Sequence, residues 1–277
     1  MLHASIGWRR RHTLALTCAL ALIAITVPSL GTTGRAAAAG LDRLPKRPPI
    51  SLPSPLHRPA PQVLPTTRQT LRHVGGEIHL YPPLPSSEPG GTRAPRVVML
   101  HGMCSDALAT CETWSRAGRA GSFLVCPTGN GRCHGWPDWR GEVEDKAAFL
   151  DSVLDTIERR YGSFLAKPGD DILIGFSRGA FVARDVAYAR PGQYRGLILM
   201  GAALRPDAER LKASGIRAVV LASGDYDGAR PMMQGAATAL AAAGLPARFM
   251  SLGKIYHRLP DDLEPRMAEA ISWIRAH

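Results

Sequence analysis

The sequence predicts an α/β sheet fold, and two observations carry that expectation. From residue 71 onward, short aliphatic runs alternate with stretches of helical periodicity. The central runs are apolar throughout, as strands covered by helices on both faces must be. In chain order the expected strands cover residues 77–81, 96–101, 122–127, 171–176, 196–201, 218–223 and 248–252. Between the third and fourth, Val143, Leu150, Val153, Leu154, Ile157 and Tyr161 recur at three- and four-residue intervals, the period of a helix with one buried face. Leu263, Met267, Ala270, Ile271 and Ile274 repeat that pattern at the end of the chain. No internal repeat or change of composition divides residues 71–277, which are expected to form one domain.

The 277 residues carry a formal net charge of +11, and its position matters more than its size. Arg9, Arg10, Arg11 and Arg35, with no acid among them, give residues 1–39 a charge of +4. Arg43, Lys46, Arg47, Arg58 and Arg68 against Asp42 give residues 40–70 another +4, so only +3 remains for the expected domain. A dedicated nucleic-acid surface would cluster its basic residues on a folded face, so no nucleic-acid partner is expected. The three arginines precede an apolar run over 14–30 and then Ala36, Ala37, Ala38 and Ala39, the pattern of a signal peptide cleaved near Ala38 or Ala39. Export to the periplasm or beyond is therefore expected. Residues 40–70 contain eight prolines and read as an extended basic linker, which charge would permit to lie against an anionic cell envelope.

After loss of Cys18 the chain would keep Cys104, Cys111, Cys126 and Cys133, an even number that fits an oxidising compartment. Local pairing predicts Cys104 with Cys111 and Cys126 with Cys133. A zinc site involving His134 is the rival reading, but the cysteine spacings lack the C-x-x-C pattern of structural zinc, and no metal is expected.

The chemistry centres on Gly175-Phe176-Ser177-Arg178-Gly179, set between an apolar run and a helical one. Such a serine sits on a tight strand-to-helix turn that tolerates no bulky neighbours two residues away. It needs a base to take its proton, and the base needs an acid to hold its tautomer. Downstream, one strand runs into Gly224-Asp225-Tyr226-Asp227 and the last into a loop bearing His257. His257 is the expected base, because the other downstream histidine, His277, is the terminal residue. Asp227 is the preferred acid; Asp225, nearer the strand, is the competitor, and Asp207 is a third candidate that would otherwise cap a helix. The loop His101-Gly102-Met103-Cys104 follows an earlier strand, which points to the backbone N–H groups of Met103 and Arg178 as an oxyanion hole. His101 would then stabilise its loop.

These motifs together resemble the α/β-hydrolase superfamily over essentially all of residues 71–277, and in particular small exported bacterial serine esterases of the carboxylesterase, feruloyl-esterase and dienelactone-hydrolase-like kind. The resemblance implies a mostly parallel twisted sheet with helices on both faces, a Ser177, Asp227 and His257 triad, ester substrates and no cofactor. Tyr256 departs from it, standing where many relatives have glycine or another small residue.

The chain passes from Gly201 almost directly into the next helix, which leaves no room for a cap domain. An uncapped site suits small soluble esters or ester groups carried on polymers. Trp136 and Trp139, beside Cys133, are candidate substrate-binding walls for a sugar, aryl or acyl group; the plainer alternative has them plugging a disulfide-bound loop. Trp114 is expected in a helix packed on the core. Two other functions remain compatible with the residues: acyl transfer or peptide cleavage by the same triad, and a non-catalytic envelope-binding module.

Overall fold

A computed structural model describes residues 64–85 and 93–277, all within one compact unit, Pro59–His277. The expected leader and residues 40–63 of the expected linker lie outside the described residues. The strands are β1 (Gln69–His73), β2 (Gly76–Tyr81), β3 (Arg96–Leu100), β4 (Phe123–Pro127), the short pair β5 (Gly131–Cys133) and β6 (Trp136–Asp138), then β7 (Asp171–Phe176), β8 (Tyr194–Met200), β9 (Ala218–Ser223) and β10 (Ala247–Ser251). The α-helices are α1 (Ala107–Glu112), α2 (Ser115–Arg119), α3 (Val143–Tyr161), α4 (Arg178–Ala189), α5 (Ala208–Ala213), α6 (Arg230–Ala242) and α7 (Leu263–Arg275).

Eight strands form one sheet in the order β1-β2-β4-β3-β7-β8-β9-β10. β1 with β2 and β2 with β4 are antiparallel, and every later pairing is parallel. The all-apolar strands are explained by two separate cores. Val98 and Leu100 of β3, Leu173 of β7 and Leu197 and Leu199 of β8 face a core shared with α3, α4 and α6. Their neighbours Val97, Met99, Ile172, Ile174, Ile198 and Met200 face a second core shared with α1, α2 and α7. Successive side chains point to opposite faces, so burial of both faces demands an apolar residue at nearly every position. Trp114 is fully buried in the second core, at the N-cap of α2.

Because the central strands are parallel, their C-terminal ends share one edge of the sheet, and the site is built there. At the opposite edge Arg96 and Asp171, the first residues of adjacent strands, form a buried ion pair at 2.7 Å. Burial pushes the Asp171 carboxyl up to about 6 even though Arg96 opposes it.

The expected strands agree with the observed ones to within one or two residues, but three strands escape sequence reading. β1 buries only Leu71 and pairs on one side alone, so it has no apolar run to betray it. β5 and β6 are three residues each, joined by His134 and Gly135 at φ of 48° and 86°, the two-residue primed turn that matches strand twist.

The disulfide pairing is corrected. Cys104 bonds Cys133 and Cys111 bonds Cys126, with Cα separations of 5.1 and 6.6 Å. α1 starts just after Cys104 and turns Cys111 inward onto β4, where Cys126 faces the same core. The β5–β6 hairpin meanwhile folds Cys133 back over the Cys104 loop. Neighbours in sequence are thus separated by an intervening helix or hairpin.

Candidate active site

β7 ends at Phe176 and α4 begins at Arg178, leaving Ser177 alone in the turn. Its backbone lies at φ 52° and ψ −119°, a conformation that costs an L-residue about 1–3 kcal/mol and persists only where its surroundings impose it. They do so here: the Ser177 N–H donates to the Met200 carbonyl at 2.8 Å, and its own carbonyl accepts from Ala180 N–H at 3.0 Å. A Cβ on Gly175 would collide with the backbone of Gly179 and Ala180, and one on Gly179 with the carbonyls of Leu100 and His101. Both motif glycines are therefore required for the elbow to close against β3.

His257 lies in the loop after β10 and is hydrogen-bonded on both sides. Its Nε2 is 2.9 Å from Ser177 Oγ and its Nδ1 is 2.9 Å from Asp227 Oδ2. The imidazole stacks on Phe176, with centroids 5.2 Å apart and planes inclined by 27°. Asp227 is 7% exposed, and its second oxygen accepts from Ala229 N–H at 2.9 Å. The acid and histidine loops are laced together, Asp225 N–H donating to Gly253 and Tyr226 N–H to Ile255. Gly224 lies so close to the Ile255 and Tyr256 carbonyls that a Cβ there would collide with both. Tyr256 itself points outward, 72% exposed, with its ring 5.3 Å from that of Tyr226, so the departure from a small residue at this position does not disturb the loop.

The competing carboxylates have other partners. Asp225 accepts from Ser251 Oγ at 2.6 Å and pairs with Arg230; the Ser251 hydroxyl and then Arg230 hold its carboxyl below the usual range. Asp207 caps α5 by accepting from Arg210 N–H at 2.9 Å.

Arg178 is the first residue of α4, where a backbone N–H has no intrahelical acceptor and sits at the positive end of the helix dipole. Met103 follows Gly102, whose position leaves a Cβ only 3.5 Å from Ser177 Cβ and 3.3 Å from Phe176. The loop expected to supply the oxyanion donor thus passes the elbow closely enough that even a Cβ on Gly102 would touch it, and Cys104, at φ 49°, fastens that loop to the hairpin. His101 is fully buried, with Nε2 3.1 Å from the Thr128 carbonyl, and burial holds its pKa below the ordinary value. Its ring nitrogens face the Gly102 and Thr128 carbonyls, which stabilises its loop.

The two tryptophans part company. Trp139 is 2% exposed, donates its indole N–H to the His101 carbonyl at 2.9 Å and packs between His101 and Phe149. It is a loop plug, not a substrate wall: it follows β6 and sits buried next to Asp138, while Trp136, at the start of β6, stays 55% exposed. One functional contact had no sequence signal at all: Arg178 Nη1 reaches Asp138 Oδ2 at 2.7 Å, tying the elbow to the hairpin. Among the described residues no cluster of three or more His, Cys, Asp or Glu side chains is arranged to hold a metal ion, and no helix is long and apolar enough to cross a membrane. Between β8 and β9 the only helix is the six-residue α5.

The alpha/beta hydrolase family model matches residues 97–276, from β3 to the end of α7. The chain belongs to that family. Among solved structures it is similar to esterase PE8, at 23% identity over 71% of this chain and 96% of that one, with a TM-score of 0.54. It is also similar to the substrate-bound fluorophosphonate-binding serine hydrolase F of Staphylococcus aureus, at 14% identity over 75% and 97% of the two chains, TM-score 0.55. A carboxylesterase of Bacillus cereus matches at 15% identity over 72% and 93%, TM-score 0.53. At these identities the likeness is one of fold. No curated protein sequence matches the chain.

Proposed function

We propose that this hydrolase-family chain is an exported serine esterase that cleaves carboxylic esters through an acyl-enzyme. The observation that carries the reading is the continuous chain Ser177 Oγ, His257 Nε2, His257 Nδ1, Asp227 Oδ2, with both links at 2.9 Å. In this reading the Nδ1–H donates to the Asp227 carboxylate, which holds the tautomer that leaves Nε2 free to accept the Ser177 proton. Ser177 Oγ attacks the ester carbonyl, and the backbone N–H groups of Met103 and Arg178 take the developing oxyanion. His257 returns its proton to the leaving alcohol; water, activated by the same imidazole, then releases the acid.

Export fits the leader-like pattern over 1–39 and the two disulfides. In the same reading residues 40–70 are a basic tether to an anionic envelope. Ester substrates fit the solved neighbours, which include esterases and a ferulic acid esterase. The site is open: Met103, Tyr226 and Tyr256, on three loops around Ser177, are 54, 54 and 72% exposed. That favours a small ester or one displayed on a polymer. The test is turnover of p-nitrophenyl esters of rising acyl length, which Ser177→Ala should abolish; turnover unchanged in that variant would end the proposal.

A further inference from the structure

Beside the oxyanion loop lies a surface cavity of about 520 Å³ that the reaction scheme does not use. Its lining includes Arg72, Glu77, Asp106, Arg132 and Trp136, contributed by the β1–β2 hairpin, the start of α1 and the β5–β6 hairpin. Its wall is joined to the loop that carries Met103 in two ways. Asp106 is three residues beyond Met103 and caps α1 through one carboxylate oxygen, Oδ1, at 2.8 Å from Leu108 N. The Cys104–Cys133 bond and the Ser105 N–H to Pro137 carbonyl bond, 3.3 Å, fix the Trp136 hairpin against the same loop.

The charges in this cavity are mixed and largely uncommitted. Arg72 and Glu77 enter no ion pair and no side-chain hydrogen bond among the described residues. Arg132 donates only to the Gly135 carbonyl of its own turn, at 2.9 Å. An anionic ligand would meet Glu77 and Asp106, and a cationic one Arg72 and Arg132, so neither sign of charge is favoured. A neutral polyhydroxylated ligand meets no such conflict, since each hydroxyl both donates to a carboxylate and accepts from a guanidinium. The indole of Trp136, 55% exposed at the rim, offers a flat apolar face to the C–H side of a pyranose or furanose ring.

From this juxtaposition we propose that the cavity is a carbohydrate subsite, holding the sugar of a sugar-borne ester whose carbonyl enters the oxyanion loop. The proposal rests on the esterase reading of Ser177 and assigns it a substrate class. Trp136 is then a specificity residue, stacking on the sugar without touching the reacting atoms.

The test compares two acetyl esters on the full chain, p-nitrophenyl acetate and a mono-acetylated methyl glycoside, for the wild type and for Trp136→Ala and Glu77→Gln. Both substitutions are at exposed positions, and thermal melting would verify that the fold is kept. KM for the glycoside ester should rise about tenfold in Trp136→Ala with kcat held, the loss expected for one ring contact, and p-nitrophenyl acetate kinetics should stay within twofold. The free methyl glycoside should weakly inhibit turnover of the glycoside ester in the wild type and not in Trp136→Ala. Parallel changes for both esters, or no change for either, would overturn the subsite while leaving the esterase standing. If the wild type turns over neither ester and Ser177 takes up no fluorophosphonate, it is the underlying esterase reading that fails, and the subsite falls with it.

Discussion

Replacing Arg178 by alanine should damage the protein more than replacing its partner. Asp138 has a side chain only 5% exposed, its Oδ2 lies 2.7 Å from Arg178 Nη1, and its Oδ1 is buried without a hydrogen-bond partner. Arg178 is 42% exposed. Arg178→Ala therefore strands a buried carboxylate, and breaking a buried pair from one side costs about 3–5 kcal/mol. The half-exposed guanidinium indicates that water reaches this pair, which places the expected cost at the low end, about 3 kcal/mol. Asp138→Asn leaves no stranded charge: the amide oxygen still accepts from Arg178, whose guanidinium is already half in water, so the cost is about 1 kcal/mol. Adding Asp138→Asn to Arg178→Ala should recover about 2 kcal/mol, because an amide needs no cation. Urea denaturation would read these differences as midpoint shifts at constant slope. An Arg178→Ala variant no less stable than Asp138→Asn, or a double variant no more stable than Arg178→Ala, would refute the reasoning.

Substitution of Ser177 or His257 by alanine is expected to lower kcat by a factor on the order of 10⁵–10⁶, and Asp227→Asn by about 10⁴, measured on p-nitrophenyl esters. Asp225→Asn should keep activity within a few-fold, since that carboxylate serves Ser251 and Arg230; a loss equal to that of Asp227→Asn would reverse the assignment of the acid. His73, His79 and His101 are all held below their ordinary 6.5 by burial, so below pH 6.5 the unfolded chain binds protons that the folded chain refuses, and stability falls. Asp171, pushed up to about 6, binds its proton more tightly when folded and opposes that fall between pH 6 and 4 as a single group against three. Denaturant titrations should show decreasing stability from pH 7 to 5, and a rise over that span would contradict the burial of these histidines. Peptide mapping without reduction should recover Cys104 joined to Cys133 and Cys111 to Cys126; a peptide joining Cys104 to Cys111 would contradict the fold of the 101–106 loop.

The central sheet and the elbow were legible because their constraints are local. Both-face burial forces apolar runs such as Ile172 to Ile174, and the close approach of Gly175 to Gly179 forces the motif glycines. His257 stood out because only His277 competes with it beyond Ser177. What sequence did not reveal depends on how separate segments meet. The disulfide partners are set by α1 and by the hairpin turn at His134 and Gly135, neither of which announces itself by periodicity. Trp136 and Trp139 look equivalent in sequence, and only the hairpin's seating decides that one is 55% exposed and the other 2%. The Arg178 to Asp138 pair spans 40 positions between a motif and a loop, and no residue pattern marks it. Sequence separates Asp225 from Asp227 only by distance from Gly224; in the structure Asp225 bonds Ser251 and Arg230, and Asp227 bonds His257.

The most direct test of the account is covalent labelling of the folded, disulfide-intact chain with a fluorophosphonate, followed by peptide mapping of the modified residue. An alkoxide-competent serine held by His257 and Asp227 should take up one label per chain, on Ser177, with labelling lost in both Ser177→Ala and His257→Ala. Labelling at another residue, or none on well-folded protein, would contradict the assignment of Ser177 as the nucleophile.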